Sequence, residues 1–402
     1  MLFRTVRDEL LQFHKERQEA VMGLLVALLA ETTVFFLGPP GTAKSLLVND
    51  LCKRVDGSPK YFEWLLTKFS TPEELFGPIS LTALENDHYT RVTTGKLPEA
   101  NVVFIDEIFK ASAGILNSLL TVLNERKFYN DGGADGGATH VPWEILVGAS
   151  NETPQDPSLS ALYDRMLLRY VLPPIQSSAE FLSMVLETAS HAPGDASIAA
   201  KELREARLLI PAVKVNQTVL DGMMEIRAKL LTAGLRPSDR RWKNALRMVQ
   251  ARAVLYERDA AVKEDLSILA HIMWDTAEQR RAVDRLVSEV ANPMAAMALD
   301  YLDTISEIEH NTLYLEDGSL NPTLNPQLGA EANVKLKTLT SEINDLVREE
   351  LAVGHDVSKL AHAADEAKAA NRRVVEIALG EDLSAYRILK QAKPEGHDSI
   401  PA

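Results

Sequence analysis

The segment FFLGPPGTAKSLLVND, Phe35 to Asp50, runs an apolar strand into a turn of two glycines and two prolines, and leaves it through a lysine and a serine. Its spacing is G-x-x-x-x-G-K-S, with Ala43 where a second glycine usually sits. Backbone N–H groups from Gly41 to Ser45 can wrap a phosphate at a helix N-terminus, where the dipole favours anions. Lys44 can reach β/γ oxygens and Ser45 can ligate Mg²⁺. The candidate nucleotide contacts are therefore Gly38, Pro39, Pro40, Gly41, Thr42, Ala43, Lys44, Ser45 and Leu46. An alanine at 43 costs little if the backbone there is helical and more if φ is positive. The competing reading is a tight strand-to-helix turn with a capping serine.

Two further strand ends bear on that choice. VVFIDE places adjacent carboxylates, Asp106 and Glu107, at the end of a buried strand some sixty residues downstream. Two acids there are costly unless they have work, because a buried unpaired charge is unfavourable. Asp106 can hold Mg²⁺ through water, and Glu107 can orient or deprotonate an attacking water. VGASNE ends the next strand, and the Asn151 amide can hold that water or a γ-phosphate. Alone, an Asn after a strand is more often a turn residue.

Around these motifs the coarse pattern is α/β. Residues 6–30 read as one helix, Thr33–Leu37 as a buried strand and Ser45–Val55 as a helix. Tyr61–Thr67, Asn101–Asp106 and Glu144–Asn151 read as further strands, Ala113–Glu125 as a helix, and Val171–Pro174 as a last strand stopped by prolines. Near-continuous apolar strands alternating with helices predict a parallel sheet covered on both faces. DGGADGG (Asp131–Gly137) reads as a hairpin tip. Residues 176–285 read as all helical, with a charged turn near Arg258–Asp259. LYLEDGSLNPTLNPQLG (Leu313–Gly329) is a turn-rich break. Beyond it, Leu336, Leu339, Ile343 and Leu346 form a short seam suited to a packed bundle, Val357–Leu379 reads as an Ala-rich helix, and KPEGHDSIPA reads as a disordered tail. Three domains are expected: 1–175, 176–290 and 291–402.

The composition narrows the function classes. The 402 residues are 46% hydrophobic, enough for real cores, and the net charge is −14. That charge argues against a broad nucleic-acid footprint. The single cysteine, Cys52, reads as a small core residue, and a chain without disulfides fits a reducing cytosol. The most apolar run, Val21–Ala30, is shorter than the ~20 residues a spanning helix needs, and the charged N-terminus shows no targeting signal. A soluble cytoplasmic protein is the expectation.

In this order the elements resemble AAA+ ATPases, more narrowly the MoxR group and its RavA subfamily. The resemblance is carried by FLGPPGTAKSLL, TKFSTPEELFGPISL, GKLPEANVVFIDEIFKA, ILNSLLTVLNER, GASNE, ALYDRMLLRY and SDRRWKNALRMVQA, and spans about residues 15–290. Ala43 is the form of the loop this group carries. The resemblance implies an α/β AAA+ core, a helical lid, ATP with Mg²⁺ as cofactors, and a homo-oligomeric ring, usually hexameric. It also implies a protein client with a von Willebrand factor A domain. By the same resemblance Asn151 matches the first sensor. Arg165 matches the arginine finger that reaches a neighbour's γ-phosphate, with Arg169 as second choice. Arg240 matches the lid sensor, with Arg241 as alternate. Phe69–Leu84 sits where this clade inserts loops facing the ring pore, although its EEL and ISL can equally be packing. Beyond residue 290 the resemblance weakens; the residues that remain read as helices alone, so a compact β-rich partner-binding domain is not expected among them.

Three functions compete at this point: an ATP-hydrolysing ring acting on a protein, a nucleotide-switched scaffold with little turnover, and a nucleic-acid motor. Glu107 beside Asp106 favours the first over the second, since a switch needs no water-activating base. The acidic charge weighs against the third.

Overall fold

The computed structural model describes residues 2–56, 59–130, 137–154, 156–186, 196–315, 326–353 and 357–378. The chain divides into two compact units, Met1–Ala291 and Asn292–Ala402.

The first unit opens with α1 (Leu2–Phe13) and α2 (Gln18–Ala30), where the sequence pattern suggested a single helix. The break is at Glu16, whose φ of 54° is left-handed. It lets His14 reach Asp50 at 2.9 Å, and lets the Glu16 carboxylate accept the backbone N–H groups of Gln176 and Ser177. Strand β1 (Thr33–Leu37) is buried along its whole length and feeds the phosphate-loop turn and α3 (Lys44–Lys53). Strand β2 (Tyr61–Leu65), the short α4 (Pro72–Phe76) and α5 (Leu81–Leu84), and β3 (Val102–Asp106) follow, then α6 (Ala113–Glu125). An antiparallel hairpin, β4 (Lys127–Tyr129) with β5 (Ala138–His140), flanks the Gly-rich stretch; its tip, 131–136, lies outside the described residues. Then come β6 (Ile145–Ser150), α7 (Ser160–Tyr163) and β7 (Leu168–Val171).

The five long strands form one parallel sheet in the order β2-β3-β6-β1-β7. The last strand lies earlier than the sequence pattern placed it, because Leu168, Arg169 and Tyr170 pair with β1 and the prolines only follow it. Helix α2 is apolar on every side and is buried from Ala20 to Ala30 except Met22. Gly23 sits where a Cβ would fall 2.0 Å from the Tyr170 hydroxyl, so glycine is required for that approach. Cys52 is buried, and burial pushes its thiol up to about 11, as a packing residue would show.

After β7 the unit continues through α8 (Ser178–Leu186), α9 (Ala200–Leu209), α10 (Gln217–Thr232), α11 (Asp239–Leu255), a 3₁₀ stretch (Lys263–His271) and α12 (Ala277–Ala291). Among the described residues this part also holds a two-residue parallel pairing of β8 (Lys214–Val215) with β9 (Ala260–Ala261), which directly follows the turn at Arg258–Asp259, and a single parallel bridge from Ile198 to Val55. Trp274, Leu266, Leu269 and Met248 are buried in this part.

The second unit has its own core, built by α13 (Pro293–Leu313), α14 (Pro326–Val353) and α15 (Ser358–Ala378). Leu336 and Ile343 of the expected seam are fully buried, and Leu339 and Leu346 pack against them. Alanines 363, 364, 367 and 370 of α15 give the facing helices a close approach. The expected tail, 393–402, and most of the turn-rich break lie outside the described residues. Among the described residues no helix is long and apolar enough to cross a membrane.

Candidate functional site

All five strands of the sheet are parallel, so their carboxyl ends share one edge, where ligands of open α/β sheets bind. Three adjacent strands, β3, β6 and β1, end there in Asp106–Glu107, Ser150–Asn151 and the phosphate-loop turn. Leu37 pairs with Ser150, and the Gly38 N–H donates to the Ser150 carbonyl at 3.1 Å. This register sets exposed Asn151 beside the mouth of the loop.

Backbone chemistry shapes the loop. A Cβ on Gly38 would lie 2.3 Å from the Leu172 carbonyl oxygen, so the loop leaves the sheet only as glycine. Gly41 has a φ of 82°, and Ala43, next but one, is left-handed at φ 60° and ψ 30°. The alanine therefore occupies the strained conformation, not the helical one that would have cost nothing, at roughly 1–2 kcal/mol for an L-residue. The Thr42 hydroxyl donates to the Pro39 carbonyl at 3.0 Å. Lys44 opens α3 and folds back, its ammonium donating to the Gly38 and Pro39 carbonyls at 2.7 and 2.9 Å. Ser45 follows in the first turn of α3, partly exposed, and Leu46 is exposed.

Electrostatics bring the loop and the acids together. Burial lowers the Lys44 pKa, while the charges of Asp106 and Glu107 pull it back up. Glu107 stands at a left-handed φ of 52°. Its backbone N–H donates to the carboxylate of its neighbour Asp106 at 2.9 Å. The Glu107 carboxylate is mostly buried and lies 3.3 Å from the Lys110 ammonium. Lys110 is a neighbour that sequence reasoning missed. Among the described residues no group of three or more His, Cys, Asp or Glu could hold a metal alone. The donor set of one hydroxyl (Ser45) and one carboxylate (Asp106) instead suits Mg²⁺, which retains waters and takes substrate phosphate oxygens.

The candidate arginines separate clearly. Arg165, just after α7, is partly exposed and donates to the Asn124 side chain and the Ala161 carbonyl, both at 2.5 Å. Its alternate, Arg169, is fully buried. It donates inward to the carbonyls of Met166, Tyr163 and Trp274 and to the Asp275 carboxylate, and it lies over the Tyr163 ring. Burial lowers its pKa to about 10. Arg240 is half exposed, 3.7 Å from Asp164. Arg241 is buried between Asp164 at 3.1 Å and Asp275 at 2.5 Å. No motif pointed to Asp164 or Asp275; only the acid beside Arg165 in LYDRM hinted at the first. In the loop segment Phe69–Leu84, Leu75 and Phe76 are packing residues, whereas Phe69 is 91% exposed.

Residues 2–209 match the family model described as the MoxR domain in the MoxR-vWA-beta-propeller ternary systems. Residues 218–287 match an AAA lid domain. Two uncharacterized proteins of Methanocaldococcus jannaschii are each 35% identical, over 77% and 76% of this chain and 80% of their own lengths. A structural protein of Acidianus two-tailed virus is 31% identical over 38% of this chain and 25% of its own. A solved structure from Cytophaga hutchinsonii covers 72% of this chain and 94% of its own, with a TM-score of 0.57 at 18% identity, a likeness of fold.

Proposed function

Because the chain belongs to the MoxR AAA+ ATPase family, we propose that it hydrolyses ATP with Mg²⁺ in a homo-oligomeric ring, most simply a hexamer of RavA-like build, and uses that turnover to remodel or assemble a protein client. The carrying observation is the junction of three strand ends at one sheet edge, with the Lys44 ammonium under the field of both Asp106 and Glu107.

In this reading the N–H groups from Gly41 to Ser45 hold the phosphates, with Gly38, Pro39 and Pro40 shaping the turn and Leu46 flanking it. Lys44 leaves its loop carbonyls for the β/γ oxygens. Ser45 and Asp106 would hold Mg²⁺, which supplies charge neutralisation on the phosphates. Glu107 takes the proton of the attacking water, and Asn151 positions that water. Arg165 reaches the γ-phosphate bound by a neighbouring chain, and Arg240 is the lid's sensor of the chain's own nucleotide. The client is a protein with a von Willebrand factor A domain, supported by the name of the matched family.

The test is Glu107→Gln, which preserves shape and cannot take a proton. Nucleotide binding persists, and steady-state hydrolysis falls by at least tenfold, roughly 1.4 kcal/mol of barrier. The trapped protein, drawn from native cells, carries down a partner with a von Willebrand factor A domain. Undiminished hydrolysis removes the base role, and a different kind of partner removes the client.

A further inference from the structure

Tyr163 ends α7, Asp164 and Arg165 follow it towards β7, and the three make different contacts. The Tyr163 hydroxyl donates to the Asp275 carbonyl at 2.7 Å. The Asp164 carboxylate accepts from the Ser238 hydroxyl at 2.7 Å and lies 3.1 Å from Arg241 and 3.7 Å from Arg240. Ser238 is also the cap of α11, its oxygen accepting the Arg241 N–H at 3.4 Å. The N-terminus of a lid helix, with both lid arginines, thus converges on one core carboxylate. Arg165 donates to the Asn124 side chain on α6 and to the Ala161 carbonyl, and it lies within the electrostatic reach of both Arg240 and Asp164.

We propose that Asp164 is a positioning residue that couples the lid to Arg165, so that the nucleotide state of one chain sets the reach of the arginine it offers its neighbour. This rests on the reading of Arg165 as the finger acting in trans. Consecutive Cα atoms are only about 3.8 Å apart across a rigid planar peptide. A shift of α11 that carries Asp164 therefore carries Arg165 by a similar amount. Packed junctions of this kind rearrange between discrete states instead of deforming smoothly. The hydrogen bonds of Arg165 at 2.5 Å to a side chain and a helix-end carbonyl are the contacts such a shift would exchange. Asp164 touches no phosphate in this scheme and acts only through its neighbour.

A double-mutant cycle on turnover in the full-length chain tests this, with Asp164→Asn, Ser238→Ala and Arg165→Ala. Asp164→Asn lowers kcat about tenfold while affinity for a fluorescent ATP analogue stays within about twofold. Ser238→Ala, which keeps the carboxylate, gives a smaller loss in the same direction. In the Arg165→Ala background neither substitution lowers kcat further, since the residue they act through is already gone. Losses that multiply in the double variants make Asp164 a structural tie and overturn the proposal, as does an unchanged kcat in both single variants. If Arg165→Ala itself leaves turnover intact, the finger reading fails and takes this one with it. If Arg165→Ala collapses turnover and the other two do not, the finger stands and only the coupling fails. Should Asp164→Asn not fold, the Ser238→Ala cycle decides alone.

Discussion

The Lys44 ammonium donates to the Gly38 carbonyl at 2.7 Å, so the cation proposed to meet a phosphate lies closed on its own loop. Burial lowers its pKa, and the charges of the two acids at the end of β3 act in the opposite direction. A phosphate must take it from two carbonyls, a favourable exchange because a bond between two charged groups is roughly twice as strong as one to a neutral acceptor. Lys44→Ala is therefore expected to abolish nucleotide binding while leaving the sheet intact. Titration with a fluorescent ATP analogue checks this; near-wild-type affinity would remove the phosphate role.

Ala43 supplies a second expectation. Its Cβ stands in the left-handed region at φ 60°, between Gly41 at φ 82° and the start of α3. Glycine holds that conformation without the steric penalty, so Ala43→Gly should raise stability by about 0.5–1 kcal/mol despite the extra freedom it gives the unfolded chain. Ala43→Val should lower it, because a β-branched residue tolerates positive φ worst. Urea midpoints of the three proteins read this directly, and a glycine variant less stable than the parent would contradict the left-handed assignment.

How much of this was legible in the sequence depends on the range of each interaction. The phosphate loop, the acid pair and Asn151 are local signals at strand ends, and the parallel sheet follows from uninterrupted apolar runs such as Val102–Ile105. The break between α1 and α2 was hidden because its cause is distant: Glu16 turns left-handed to reach Gln176 and Ser177, some 160 residues on. Arg169 and Arg241 could not be told from surface arginines, since their burial depends on Asp275, a residue in no motif. The strain at Ala43 was invisible because composition does not report φ.

Asp275 gives an expectation in pH. Burial by itself would raise its pKa, but the hydrogen bond and charge of Arg241, with Arg169 behind, hold it below the ordinary carboxylate range. A folded pKa below the unfolded value of about 3.9 contributes stability that is fully present above about pH 4 and is lost as pH falls through the folded value. Asp275→Asn should therefore be less stable than the parent at pH 7, and the gap should narrow below about pH 4. Urea midpoints of both proteins from pH 7 to pH 3 test it; a gap independent of pH would mean that the carboxylate charge is not what holds Arg241 and Arg169.

Arg165 is expected to act on a neighbour's nucleotide. It is partly exposed, in contrast to the fully buried Arg169 four residues on. Arg165→Ala chains alone should hydrolyse ATP ~10³-fold or more slowly, as an arginine finger is worth that much in rate, and Lys44→Ala chains alone should not bind it. Mixed, they should recover part of the activity, because one interface then joins an intact loop to an intact finger. Absence of recovery in assemblies shown by mass to contain both chains would place Arg165 in its own chain's chemistry or in none.

The boundary after Ala291 carries the last expectation. Every proposed phosphate contact, base and sensor lies between Gly38 and Arg240, inside a unit with its own buried core. Residues 292–378 bury Leu336, Ile343, Leu360 and Ala367 among themselves and contribute none of those groups. The second unit as a whole carries a disproportionate share of the acidity, since 292–402 holds 19 Asp and Glu against 10 Lys and Arg. That charge suits a surface for contacting a partner better than a phosphate site, because like charge raises the cost of an approaching anion. A chain ending at Ala291 should fold cooperatively, bind nucleotide with unchanged affinity and hydrolyse it, while losing the partner that the Glu107→Gln trap carries down. Circular dichroism, nucleotide titration and the same pull-down measure the three in turn. Loss of folding or of nucleotide binding would make the helical bundle part of the ATPase unit, and a retained partner would move the contact surface into the first unit.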